Sequence, residues 1–191
     1  MSNIIRSAAR ALACAVVGSL TVLAAPAQAE LTITMDRNLD NREDFKKVAV
    51  RHGEKRVRFQ SRVFDRRGLP EWVYHQVDTR GGPKPEFSVS VIVKNEVAKR
   101  PHVTIHRVDS WLPRENPWKG HDEEVECGLH VGDKRDKKRV LRVLTGRGCF
   151  QIDGEMPNRV RVNTFGGYIE FPGIEDPVPA WREYGSWTSA D

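Results

Sequence analysis

The sequence predicts an all-β fold: one antiparallel β-sandwich of jelly-roll or immunoglobulin-like type, held by a single disulfide. Three observations carry that expectation. Apolar residues recur with a period of two in short runs, turn residues separate the runs, and two cysteines follow a segment with the grammar of an export signal. About eight or nine such runs, with no long amphipathic helix among them, fit two packed sheets better than any helical architecture.

The first 29 residues set the compartment. Arg6 and Arg10 form a short positive region, residues 11–25 are almost unbroken in apolar character, and Ala27-Gln28-Ala29 offers small residues for a signal peptidase. A membrane anchor needs about 20 apolar residues, and this run is shorter and ends at Pro26. Cys14 lies ahead of the cleavage pattern within the leader, so lipidation is not expected. The expectation is a secreted, extracellular protein, with residues 1–29 a signal peptide and residues 30–191 a single domain without a membrane anchor.

The elements follow in order. Val48, Val50 and His52 alternate with Ala49 and Arg51, and Gly53-Glu54 then breaks the run. Val57, Phe59, Ser61 and Val63 next alternate with Arg56, Arg58, Gln60 and Arg62. The pair predicts a hairpin whose second strand turns arginines to water and apolar groups to a core. Strands are predicted at 72–77 after Gly68-Leu69-Pro70, at 87–93 after Gly81-Gly82-Pro83, and at 103–108 after Arg100-Pro101. Further runs lie at 125–131, 140–144 and 160–162. Residues 111–122 and the tail from Pro172 lack strand pattern and are expected to be irregular cover.

Cys127 and Cys149 are the two cysteines beyond the leader, and in an oxidising compartment an isolated pair bonds. Closing a loop of about 22 residues contributes roughly 3 kcal/mol on the chain-entropy estimate. The formal net charge of +5 includes Arg6 and Arg10, so the remainder is only mildly basic. Acids and bases interleave, as in Asp133-Lys134-Arg135-Asp136-Lys137-Lys138-Arg139. No single-sign block of the kind used on nucleic acid stands out, and no nucleic-acid partner is expected.

Chemistry-bearing residues are sparse. Asp36, Asp40, Glu43 and Asp44 group ahead of the first hairpin and offer hard oxygen ligands for Ca²⁺, though without the order or central glycine of an EF-hand; a solvated turn competes with that reading. His102 and His106 are four apart on a predicted strand, roughly 13 Å along it, too far for one zinc ion. No Gly-x-Ser-x-Gly setting occurs, and the Gly81-Gly82 and Gly166-Gly167 pairs lack the lysine and helix of a phosphate loop. Trp111, Trp118, Trp181, Tyr184 and Trp187 lie in the irregular stretches. There a ring either stacks on a flat ligand such as a sugar or covers an open end of the core. Trp111 and Trp118 are the candidate ligand contacts, whereas Trp72 and Tyr74, within a strand, belong to core or sheet face.

The order of features resembles a group of actinobacterial secreted β-sandwich proteins without an assigned activity. The likeness runs through an export signal, the acidic segment from Met35-Asp36 to Glu43-Asp44, and the strand ending in His52-Gly53. It continues through Val77-Asp78-Thr79-Arg80, Pro85-Glu86-Phe87, Arg147-Gly148-Cys149-Phe150, the Arg-Val-Arg-Val strand at 159–162 and Trp187. Relatives in that group carry Leu-Asp-Ile where this chain has Glu43-Asp44-Phe45. The resemblance implies a sandwich similar to carbohydrate- or ligand-binding modules and carries over no catalytic residue.

Three functions are therefore expected in competition. The first is a non-catalytic module binding polysaccharide or cell-envelope material through loop aromatics, with no cofactor beyond the Ca²⁺ considered above. The second is a secreted hydrolase whose paired carboxylates meet only in three dimensions. The third is a structural or protein-binding surface protein.

Overall fold

Period-two sequence becomes strand over most of the described chain. A computed structural model describes residues 30–35, 45–63, 69–93, 100–112, 123–128, 130–135, 139–167 and 184–190. The strands are β1 (Glu30–Met35), β2 (Phe45–His52), β3 (Arg56–Val63), β4 (Trp72–Asp78), β5 (Phe87–Ile92), β6 (His102–Arg107), β7 (Glu123–Glu124), β8 (His130–Arg135), β9 (Val140–Gly146), β10 (Arg159–Gly167) and β11 (Thr188–Ser189). They form two antiparallel sheets, sheet one in the order β1-β2-β3-β9-β8 and sheet two in the order β11-β10-β4-β5-β6-β7. The predicted leader and the acidic group Asp36, Asp40, Glu43 and Asp44 lie outside the described residues.

The chain crosses between sheets at β3–β4, at β7–β8 and at β9–β10. Because β9 pairs with β3 and β10 pairs with β4, the strands flanking the first and last crossings are neighbours in both sheets, which ties the layers together. Between the sheets the inward positions of every long strand meet: Val48 and Val50 of β2, Val57 and Phe59 of β3, Leu141 and Val143 of β9. Facing them are Val73 and Val77 of β4, Phe87, Val89 and Val91 of β5, Val103 and Ile105 of β6, and Val160 and Val162 of β10. Phe150 stands edge-on to Phe59 and Phe87, at 6.1 and 5.4 Å between centroids, the arrangement the ring quadrupoles favour. At Gly132 of β8 an added Cβ would lie 2.7 Å from Pro101, so glycine is what lets this edge strand close onto the start of β6.

Cys127 and Cys149 form the expected disulfide, their Cα atoms 5.3 Å apart. Its setting corrects the sequence reading. The run 125–131 is not one strand, because β7 belongs to sheet two and β8 to sheet one, and Cys127 sits in the link that passes between them. Val125 still donates to Ile105 O at 2.7 Å, as though extending β7, before the chain leaves the sheet. Cys149 lies in a single 3-10 turn, Arg147–Phe150, that follows β9. The bond thus fastens a sheet-to-sheet passage to the end of β9. Strands β1 and β11 were not expected either, although Leu31, Ile33 and Met35 of β1 alternate with Thr32 and Thr34; β11 is two residues whose pairing depends on β10.

Two histidines are sealed into the interior. His75 stacks on Phe59 with centroids 4.9 Å apart and places Nδ1 2.8 Å from Thr164 Oγ1. Burial pushes its pKa down to about 3, so the ring is neutral. His52 has Nδ1 3.1 Å from Thr188 O. A carbonyl only accepts, which puts the proton on Nδ1. Its pKa is likewise lowered, by burial first.

Candidate ligand-recognition site

The β4–β5 turn is built around one carboxylate. Asp78 is fully buried; its Oδ1 accepts from Arg80 N at 2.9 Å and Gly81 N at 2.7 Å. Gly81 has φ +92, a conformation that costs other residues strain. Asp78 Oδ2 takes Arg161 of the neighbouring strand, at 2.7 Å from Nε and 2.6 Å from Nη2. Arg161 also donates to Gly82 O at 2.8 Å. Glu86 closes the turn by accepting from Thr79 N at 2.8 Å and Thr79 Oγ1 at 3.3 Å. Its pKa is raised, by burial first and then by the nearby Asp78 charge, with the Thr79 bonds opposing.

Asp78 and Glu86 are a carboxylate pair that the fold brings together among the described residues, and both are spent on the turn. Asp78 has no water-facing surface and its oxygens hold two backbone N–H groups and a guanidinium. A glycosidase pair must instead flank an open bond, one of the two delivering a proton and the other facing the sugar ring.

The C-terminal segment lies across this turn and across β10. Gly185 N donates to Val162 O at 3.1 Å, Ala190 N to Asn158 O at 2.7 Å, and Thr32 Oγ1 to Trp187 O at 3.0 Å. Ser189 N reaches the Glu30 carboxylate. The tail is therefore pinned to β10 on one side and to β1 on the other. That pinning sets its rings against the two arginines that β10 presents on one face, two residues apart. Arg161 lies over Tyr184 at 4.4 Å and over Trp187 at 4.7 Å, and Arg159 over Trp187 at 4.0 Å. Trp111 adds the far end, its ring 4.7 Å from Tyr184 and its Nε1 donating to Pro83 O at 3.0 Å. The result is a ladder running Trp111, Tyr184, Arg161, Trp187, Arg159. Burial, with Asp78 and Glu86 nearby, raises the Tyr184 pKa and keeps the phenol neutral.

Arg159 opens the ladder to a pocket of about 270 Å³ beside the 3-10 turn, lined also by Thr79, Arg80, Glu155, Met156 and Asn158. Arg80 is neutralised by Asp153 at 2.7 Å. Among the described residues no carboxylate lies within ion-pair distance of Arg159, so an exposed guanidinium held flat on an indole is the chemical offer of this site. It suits an anion carried on a flat ring.

Of the sequence-derived candidates, Trp111 belongs to the ladder, as a packed and hydrogen-bonded end piece. Trp118 and the four acidic residues lie outside the described residues. Trp72 and Tyr74 are buried, as expected, in a second cluster with Val108, Leu112 and Phe165 on the outward face of sheet two. Sequence reasoning missed Arg159 and Arg161 as site residues, although their alternation in 159–162 already placed them on one face. What it could not give was the tail lying over them. Among the described residues no group of three or more His, Cys, Asp or Glu gathers as a metal site, and no helix is long and apolar enough to cross a membrane. Comparison with protein-family models, curated proteins and solved structures returns no match to this chain.

Proposed function

We propose that the chain is a secreted, non-catalytic recognition module that binds polysaccharide or cell-envelope material carrying acidic sugars at the ladder and its adjoining pocket. The observation that carries this reading is Arg159, exposed, without a carboxylate partner among the described residues, stacked on Trp187 and lining the pocket. Sugar rings present apolar faces to an indole, and a uronate carboxyl accepts two parallel bonds from a guanidinium. Secretion is supported by the leader pattern and by the disulfide, which persists in oxidising compartments.

Titration calorimetry with polygalacturonate and, for comparison, dextran tests the reading. Acid-selective binding is expected, with Arg159→Ala and Trp187→Ala each weakening it about tenfold or more, as loss of a charge-assisted or stacking contact does. Trp111→Ala, acting only through Tyr184, has the smaller effect. Equal affinity for both polymers, or binding untouched by Arg159→Ala, would reject the site.

A further inference from the structure

We propose that the outward face of sheet one, opposite the sheet that carries the ladder, docks peripherally on an anionic phospholipid surface. The strand registers assemble this face from residues scattered over the sequence. One cross-strand row reads Leu31, Arg51, Arg58, Leu144, Val131; the next reads Ile33, Ala49, Gln60, Arg142, Asp133; a third contains Lys47, Arg62, Val140 and Arg135. Arg56, opposite Gly146, extends the field beyond the first row. Among the described residues, seven basic side chains thus share these rows with one carboxylate, Asp133, which Arg135 approaches at 3.9 Å, and Glu54 stands at the end of the β2–β3 hairpin. From Arg56 to Arg62 the field runs about 20 Å along β3, and from β2 to β8 about 14 Å across.

Its apolar content is equally uneven. The exposed large hydrophobic residues among those described are Leu31 at 48%, Ile33 at 45%, Val131 at 42% and Met156 at 53%. Three of the four stand on this face, on its edge strands β1 and β8, flanking the arginines. Between them Arg51, Lys55, Arg56, Arg58 and Leu144, with Glu54 the one acid among them, line an open depression of about 290 Å³ that keeps a net positive charge.

Charge complementarity requires an anionic partner. The shape of the field selects its source. A basic array extended in two dimensions, with aliphatic residues at its margins and no groove, matches a charged interface into which short apolar side chains dip while arginine stems stay in the headgroup layer. A polysaccharide chain is linear and is gripped by rings, and among the described residues this face carries no aromatic ring.

The test is co-sedimentation of the protein, purified as its expressing cell processes it, with vesicles of phosphatidylcholine alone and with vesicles of roughly equal parts phosphatidylcholine and phosphatidylglycerol. Binding is expected only to the anionic vesicles, falling as salt rises. Arg51→Gln with Arg58→Gln should weaken partitioning about thirty-fold, each basic residue near a membrane contributing about fivefold. Leu31→Ser with Ile33→Ser should weaken it several-fold. Lys84→Gln with Arg107→Gln removes the same charge elsewhere and should change it little; urea melts of each variant exclude unfolding as the cause. Absence of anionic-selective binding overturns the proposal, as does a control pair as damaging as Arg51 and Arg58. Binding of soluble polygalacturonate through Arg51 and Arg58, with no vesicle binding, would reassign the face to polysaccharide and overturn the lipid assignment.

Discussion

At the centre of sheet one's outward face, Arg58 has Arg51 and Leu144 beside it and is open to water; at the centre of sheet two's, Gln76 has Asn163 and Ser88 beside it and is wholly buried. Both positions are outward-facing sites on middle strands. Sheet one spends its outward side chains on solvent and charge. Sheet two buries its outward side chains as well as its inward ones: every residue of β4 is buried, Trp72, Tyr74 and Phe165 cluster with Val108 and Leu112, and Asp78 anchors the turn that supports the ladder. Substitutions on the first face should therefore alter binding and leave stability nearly unchanged, whereas substitutions on the second should act through stability.

The largest expected effect is at Asp78. Asp78→Ala leaves two backbone N–H groups and the Arg161 guanidinium without their acceptor, and breaking a buried pair in this way costs about 3–5 kcal/mol. Equilibrium urea unfolding measures it, and a loss under 1 kcal/mol would mean that the turn is not held as described. Reducing the Cys127–Cys149 disulfide comes next, at roughly 3 kcal/mol. Because the bond fastens a passage between the sheets, hydrogen exchange should report lost protection in both sheets and not in sheet one alone.

Acid should act through the interior beneath sheet two. His75 titrates at about 3 in the folded protein and near 6.5 when unfolded. Its contribution is thus complete above pH 6.5 and declines as pH falls toward 3, by roughly 1 kcal/mol per unit. His52 shifts in the same direction. Urea midpoints across that range should show a slope that His75→Gln reduces; an unchanged slope would place the proton uptake elsewhere. The smallest effect is at Arg58, where Arg58→Gln on the wet face should change stability by less than about 0.5 kcal/mol. A larger loss would show that this face is not the solvated one and would erase the contrast.

Strand β3 shows how far sequence reading reached. Its Arg-Val-Arg-Phe-Gln-Ser-Arg-Val pattern alternates cleanly because one side is wet, so strand, face and hairpin partner were all legible. Strand β4 was recognised as a strand, but Trp-Val-Tyr-His-Gln-Val-Asp does not alternate. Burial on both sides removes the polar half of the signal, and the burial of sheet two's outward face was not foreseen. The basic face was missed for a different reason. Arg51, Arg58, Arg142 and Arg135 lie on four strands, each interleaved with apolar residues or acids, and no window of sequence holds them together.

By itself, the sequence determined the β class, most strand positions, the hairpin at Gly53-Glu54 and the Cys127–Cys149 bond, because these depend on local periodicity, turn chemistry and the chemistry of a cysteine pair. Tertiary structure alone decided that β7 and β8 part into different sheets, that the tail lays Tyr184 and Trp187 across Arg161 and Arg159, and that seven basic residues share one face. Those facts depend on which strands become neighbours. Register between strands far apart in the chain is fixed by the packing of the whole core, which no local pattern encodes.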